Sequence, residues 1–344
     1  MKSVHRVKIG DSRDIGFIGD RSVDMVVTSP PYPMIGMWDE VFGAQSEEFK
    51  EGIMEGNGEK AFEAAHEELD KAWRECWRVL KEGGFMCINI GDATRSIGGR
   101  FKLYDNHSRI VRGCIDIGFE ELPGIIWRKQ SNAPNKFMGS GMLPGGAYVT
   151  LEHEYILIFR KGGKRVWGEK KDKERRKESG YFWEERNKWF SDVWEVKGVR
   201  QSMDGGGRER SAAYPFEIPY RLINMYSQYG DVVLDPFCGI GTTMIAGMVL
   251  GRDSIGVDID GSMVSFIGKR IEDMGVEGMN QVIEDRVRCH KDFEKQRGEM
   301  KYWNEGLGSG VMTKQEEGIR MHKVKEIRDG GDECWSWGRN VEYI

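Results

Sequence analysis

The run at residues 231–243 (DVVLDPFCGIGTT) constrains the fold more than any other part of the chain. An apolar, β-branched stretch enters a turn containing Gly239 and Gly241 and opens into a helical pattern. Backbone N–H groups and the positive end of a helix therefore face whatever sits at that turn. Glycine lets a ligand approach the backbone closely. Asp258 ends the next predicted strand, where a carboxylate can accept both hydroxyls of a ribose. Met244 replaces the third small residue of a dinucleotide fingerprint, which suits a smaller nucleoside ligand without a pyrophosphate.

Around this run the hydrophobic period alternates between strand and helix. Strands are predicted over residues 4–9, 23–28, 85–90, 124–128, 154–160, 232–234 and 254–257, and helices over 46–80, 104–117, 217–229, 242–250 and 262–274. Within 46–80, Phe62, Ala65, Leu69, Ala72, Trp73, Cys76 and Val79 share one helical face, and Glu82-Gly83-Gly84 reads as the turn that ends it. Strands alternating with helices predict an α/β fold built on a parallel, doubly wound sheet.

The chain has 344 residues, 39% of them hydrophobic, enough for one large core or two modest ones. Its longest apolar run, residues 244–250, covers about a third of the ~20 residues that a membrane-spanning helix needs. The opening MKSVHRVKIGD has no apolar signal core, so a cytoplasmic location without membrane contact is expected. Six cysteines form no CxxC pair, which argues against zinc and disulfide frameworks. The net charge of −5 argues against a protein that coats nucleic acid. Residues 160–210, however, hold 16 Lys and Arg against 10 Asp and Glu, so one stretch is basic inside an acidic chain. That stretch shows no clear period and contains Asp204-Gly-Gly-Gly-Arg208, which reads as an insertion with a flexible exit.

A second motif, Thr28-Ser29-Pro30-Pro31-Tyr32, ends the buried stretch at 23–28, and ligands of open α/β sheets bind at that end of a strand. The two prolines fix two φ angles and remove two donors. The Ser29 hydroxyl and the Pro30 carbonyl can then accept the two hydrogens of an exocyclic amine, and Tyr32 offers a face on which a base can stack. Such acceptors draw the amino lone pair out of ring conjugation and make a poor nucleophile usable. A strand terminator plus a packed tyrosine is the structural alternative.

TSPPY together with DPFCGIGTT resembles the amino-group DNA methyltransferases that use S-adenosylmethionine. The catalytic motif precedes the cofactor motif, as in the permuted β group of that family, and Ser-Pro-Pro-Tyr is similar to the spelling of its N4-cytosine members. The resemblance covers roughly residues 5–275. It implies a Rossmann-like methyltransferase fold with circularly permuted motif order, with Ser29, Pro30, Pro31 and Tyr32 catalytic and no metal. It also implies cofactor contacts from Asp11, Asp235, Phe237, Gly239, Gly241, Thr242, Thr243 and Asp258. Tyr214 and Pro215 stand where the family often shows Ala-x-Phe-Pro. Residues 77–92 and 153–161 resemble flanking family segments, with His153 near the target base and Asp92 in a turn; each also has a structural reading.

The resemblance further implies double-stranded DNA as substrate, a base flipped into the site, a cognate restriction endonuclease, and a prokaryotic, nucleoid-associated location. The expected organisation is a catalytic and cofactor domain from residues 1–160 and 211–295, an inserted target-recognition region at 161–210 acting with the loop 132–148, and an extension at 296–344 without an assigned role. The absence of a Pro-Cys dipeptide argues against a cysteine nucleophile at cytosine C5. N6-adenine methylation is the nearest alternative, and a noncatalytic S-adenosylmethionine or nucleic-acid binding module is the alternative from another class.

Overall fold

Ten strands join in one sheet in the computed structural model, which describes residues 1–129, 138–139, 142–198, 214–331 and 334–344. They are β1 (Lys2–Ile9), β2 (Val23–Thr28), β3 (Leu80–Ile90), β4 (Glu120–Arg128), β5 (His153–Arg160), β6 (Val193–Glu195), β7 (Val232–Asp235), β8 (Asp253–Asp258), β9 (Val324–Asp329) and β10 (Trp337–Tyr343). Their order across the sheet is β6-β4-β5-β3-β2-β7-β8-β1-β10-β9. The central β3-β2-β7-β8-β1 run is parallel, as expected from the alternating pattern. The flanks correct the expectation of a wholly parallel sheet, because β5 is antiparallel to β3 and β4, and β10 to β1 and β9. A crossover helix is what makes neighbours parallel, and β4 joins β5 without one among the described residues.

The helices are α1 (Asp39–Gln45), α2 (Glu47–Met54), α3 (Gly58–Val79), α4 (Asn106–Ile117), α5 (Lys170–Glu178), α6 (Trp183–Trp189), α7 (Glu217–Tyr226), α8 (Thr242–Val249) and α9 (Met263–Arg297). The single helix expected over 46–80 is two. Gly56, at φ 70°, breaks the chain, and the Asn57 side chain then caps α3 by accepting from the Lys60 N–H at 3.1 Å. All seven residues predicted to share a face of α3 are buried. Each large one among them contributes about 1.5–3 kcal/mol by leaving water.

Glu82-Gly83-Gly84 does not end the helix in a turn. It lies inside β3, where the pairing with β2 shifts between Val23 and Met25, so the glycines form a bulge rather than a stop. The helix expected to end at Met274 does so only as a kink: Gly275, at φ 59°, joins it to a second helical stretch reaching Arg297.

β2 is buried at every position, which its VDMVVT sequence requires of a central strand. Met25 and Val27 enter one core and Val26 the other, the alternation that puts helices on both faces.

The basic stretch is more ordered than its sequence suggests. It contributes α5, α6 and β6, and β6 pairs parallel with β4 at the sheet edge. Trp189 and Trp194 are buried in the main core, while α5 has no buried residue and is a solvated face. The Asp204–Arg208 segment lies outside the described residues, as do Ala212, Ala213 and part of the 132–148 loop. The carboxyl-terminal residues supply β9 and β10, which cover the outer edge of β1.

Candidate active site

β2 and β7 are parallel neighbours, with Val26 opposite Leu234, so the TSPPY corner and the glycine turn leave the sheet at the same edge. The Thr28 hydroxyl donates to Asp235 Oδ1 at 2.6 Å. Asp235 is buried and also accepts from the Thr243 hydroxyl at 2.5 Å, the Tyr214 hydroxyl at 3.3 Å and the Phe237 N–H at 3.1 Å. Burial pushes its carboxyl up to about 6, and the four bonds oppose that rise. Burial likewise raises the Tyr214 phenol well above its ordinary value.

Beyond Asp235 the chain turns through Gly239 and Gly241, at φ 47° and 75°. Their roles differ. A Cβ on Gly241 would meet the Ile267 side chain at 2.9 Å, whereas one on Gly239 would meet nothing within 4 Å. Gly241 therefore allows helix packing, and Gly239 presents bare backbone to open space. The Gly239 N–H donates to Asp258 Oδ2 at 2.7 Å and the Asp260 N–H to Asp258 Oδ1 at 2.9 Å, which fixes that carboxylate at the end of β8. β1 lies beside β8 and delivers Asp11, whose carboxylate is clamped by the Arg13 guanidinium at 2.6–3.0 Å. Although burial pushes the Asp11 carboxyl up, the bonds and charge of Arg13 hold it below its ordinary value.

These groups surround one cavity of about 540 Å³, within the usual range for ligand pockets. Ser29, Pro30, Pro31, Tyr32, Asp11, Asp235, Phe237, Gly239, Thr242, Asp258 and Tyr214 line it. Gly241, Thr243 and Pro215 do not: Thr243 acts from behind through Asp235 and Tyr214, and Gly241 packs under Ile267. Cys238 also lines the cavity, and burial raises its thiol well above the ordinary value.

The sequence reading missed a second set of lining residues. Trp127 and Glu154 lie opposite each other on the antiparallel pair β4 and β5, and Lys129 follows them from the end of β4. Trp127 Nε1 donates to the Val196 carbonyl at 2.8 Å, and the Lys129 ammonium lies 4.7 Å from the Trp127 ring centre while pairing with Glu154 Oε1. The Tyr32 hydroxyl donates to Glu154 Oε2 at 3.0 Å and lies 3.1 Å from Ser29 Oγ. Buried Asn89 donates to both the Tyr32 oxygen and Glu154 Oε2 at 2.7 Å.

His153 does not line the cavity, and its ring lies edge-on to Tyr155 with centres 4.9 Å apart. Asp92 is also outside, bonded to His107 Nδ1 at 2.9 Å. At this strand end the alternation of side chains turns Glu154 toward the cavity and leaves His153, for which the sequence also allowed a structural role, outside it. Trp38, Phe42 and Leu69 add an apolar wall, and the lining holds six carboxylates against the two cations Arg13 and Lys129.

A family model described as a DNA methylase matches residues 23–269. The chain is 49% identical over 325 residues to the Type II methyltransferase M.MthZI of Methanothermobacter thermautotrophicus, covering 94% of this chain and 91% of that one. It is 48% identical over 278 residues to the Type II methyltransferase M.MjaI of Methanocaldococcus jannaschii, covering 78% and 91%. A Thermus thermophilus protein assigned as a DNA modification methylase, solved with S-adenosyl-L-methionine, superposes with TM-score 0.60 at 31% identity over 77% of this chain and 92% of that one. The PvuII cytosine-N4-specific DNA methyltransferase shares the fold, with TM-score 0.57 at 16% identity over 81% of this chain and 93% of that one.

Proposed function

The chain belongs to the N6/N4 DNA methylase family, and from that premise we propose that it methylates the exocyclic N4 of a cytosine flipped out of double-stranded DNA. Within that reading it is an S-adenosylmethionine-dependent Type II enzyme of a restriction-modification system, and a cognate endonuclease is its expected companion. The observation that carries the reading is the shared cavity: an amine-accepting corner and a nucleoside-sized turn face one space and are tied together by Thr28 and Asp235.

The cavity fits the cofactor. The open face at Gly239 admits a ligand against backbone, the Asp258 carboxylate suits ribose hydroxyls, and the excess of carboxylates suits a sulfonium cation. In this reading Asp11, Phe237, Gly239, Thr242 and Asp258 hold the cofactor, with Tyr214 and Thr243 acting through Asp235. Bound there, S-adenosylmethionine supplies an electrophilic methyl group.

The chain's own residues do the rest by positioning. Ser29 Oγ and the Pro30 carbonyl accept the amino hydrogens and leave the nitrogen lone pair free. Pro31 keeps the corner rigid. The Tyr32 ring stacks on the base, and the Trp127 ring and Lys129 stand at the same mouth. An exocyclic amine is inaccessible while stacked and paired, so the base must leave the duplex. Serine at the head of the motif, where N6-adenine members usually begin with Asp, favours cytosine.

DNA affinity comes from phosphate contacts, and we assign target choice to residues 161–210 and the 132–148 loop. No helix among the described residues is long and apolar enough to cross a membrane. The test is chemical. Duplex DNA methylated by the protein is digested to nucleosides and weighed: N4-methylcytosine supports the reading, and N6-methyladenine replaces it with the alternative.

A further inference from the structure

A hydrogen-bonded chain leads away from the point where the amine would be held. Ser29 Oγ lies 3.1 Å from the Tyr32 oxygen, and the Tyr32 hydroxyl donates to Glu154 Oε2 at 3.0 Å. Asn89 spends both amide hydrogens on this chain, one on the Tyr32 oxygen and one on Glu154 Oε2, each at 2.7 Å. With Asn89 and Ser29 donating to it, the Tyr32 oxygen has both lone pairs filled, and its own hydrogen points to the carboxylate. Lys129 closes the far end by pairing with Glu154 Oε1, and its side chain is 39% exposed, so this end is open to water. A ring that only stacks on a base needs no hydroxyl, yet this hydroxyl is held by three partners.

We propose that Ser29, Tyr32 and Glu154 form a proton relay that removes the proton released when the exocyclic amine is methylated. The proposal rests on the amino-methylation reading above. As the nitrogen bonds to the methyl carbon, the carbon–sulfur pair returns to sulfur, and the nitrogen becomes a cation carrying one hydrogen too many. The electrons of one N–H bond stay on nitrogen and its proton passes to Ser29 Oγ. Ser29 gives its own proton to the Tyr32 oxygen, and Tyr32 gives its hydroxyl proton to Glu154 Oε2. Glu154 is left neutral at the end of the chain that Lys129 opens to solvent, where the proton passes to water and the chain resets. Asn89 and Lys129 are positioning residues that fix the direction of transfer. Burial keeps the Tyr32 phenol protonated at neutral pH, as a donor in this chain must be.

The test is single-turnover methyl transfer to duplex DNA, in H2O and in D2O, by the wild type, Tyr32→Phe and Glu154→Gln. Tyr32→Phe keeps the ring and breaks the chain at one oxygen, so it remains informative even where Glu154→Gln fails to fold. Transfer should slow by roughly 10²-fold, the lower range for positioned proton transfer, with cofactor and DNA dissociation constants within about twofold of wild type. The wild-type solvent isotope effect should vanish in both variants, a change that a merely structural role of the hydroxyl would not produce. Wild-type rates in Tyr32→Phe, or an isotope effect that survives in it, overturn the relay. Nucleoside analysis of the same product separates the two ideas, because methyl on a ring carbon overturns the amino-methylation reading whatever the isotope result.

Discussion

The Thr28 hydroxyl and the Asp235 carboxylate, separated by 207 residues of chain, meet at 2.6 Å. Each ends a strand, and each opens one of the two motifs that line the shared cavity. Parallel pairing of β2 and β7 brings the strand ends level, and the hydrogen bond couples the diproline corner to the glycine turn. Removing the hydroxyl as Thr28→Val leaves a buried carboxylate short of one donor. Such a loss costs about 1–3 kcal/mol and should weaken cofactor binding and methyl transfer together.

Asp235 makes this coupling pH-dependent. Burial raises its carboxyl from 3.8 to about 6, so the unfolded chain ionises it at lower pH than the folded protein does. Its contribution to stability is full below about pH 4 and is lost as pH rises through about 6, which amounts to about 1 kcal/mol between roughly pH 5 and pH 7. Urea unfolding of wild type and Asp235→Asn at both pH values should show the wild type losing about that much relative to the variant on going to neutral pH. A difference that stays flat with pH would contradict the assignment.

The rigid corner is tested by Pro30→Ala and Tyr32→Ala. Both should lower the methyl-transfer rate by about 10²-fold, the scale of a misplaced reacting group, and change cofactor affinity far less. Radiolabelled methyl transfer and isothermal titration with the cofactor separate the two quantities. Unchanged rates in both variants would remove these residues from the chemistry.

The two glycines of the turn should respond oppositely to the same substitution. Gly241→Ala drives a methyl group into the Ile267 side chain at a positive φ, so the variant should melt earlier. Gly239→Ala costs roughly 1–2 kcal/mol of backbone strain but meets no protein atom, and its methyl group projects into the open space where the cofactor would sit. Cofactor affinity should fall in Gly239→Ala by more than its thermal stability does, and the ranking should reverse in Gly241→Ala.

Trp194 makes the basic stretch part of the core rather than an appendage. The residue is 1% exposed, and its Nε1 donates to the Trp189 carbonyl at 3.0 Å. Trp194→Ala should destabilise the whole enzyme by about 3–5 kcal/mol, measurable by urea unfolding. An exchange of the basic stretch with a relative's should therefore retain β6 and both tryptophans and replace only the solvated α5 region. Identical site preference after that exchange would refute the share of α5 in target choice.

Local patterns carried much of the fold into view. The β2 run, the buried face of α3 and the strand-turn-helix at 231–243 depend on periodicity, proline and glycine, properties that a short stretch of chain expresses by itself. The limits of the reading lie where a residue's neighbour is remote. Gly83 and Gly84 read as a stop, but strand pairing absorbs them as a bulge. The basic stretch shows no clear period by itself, and its Trp189 and Trp194 find their place in the core only where β6 joins β4.

The same division runs through the site. Residue order alone determined that a diproline corner and a glycine turn exist, because each is built from consecutive residues with restricted or permissive backbone. Tertiary structure decided which carboxylate faces the cavity, because alternation on β5 turns Glu154 inward and not His153. It also decided what Tyr32 bonds to, because Asn89 and Glu154 come from two other strands. A hydrogen bond between distant residues depends on sheet order and register, and these arise from the packing of the whole chain rather than from any one segment of it.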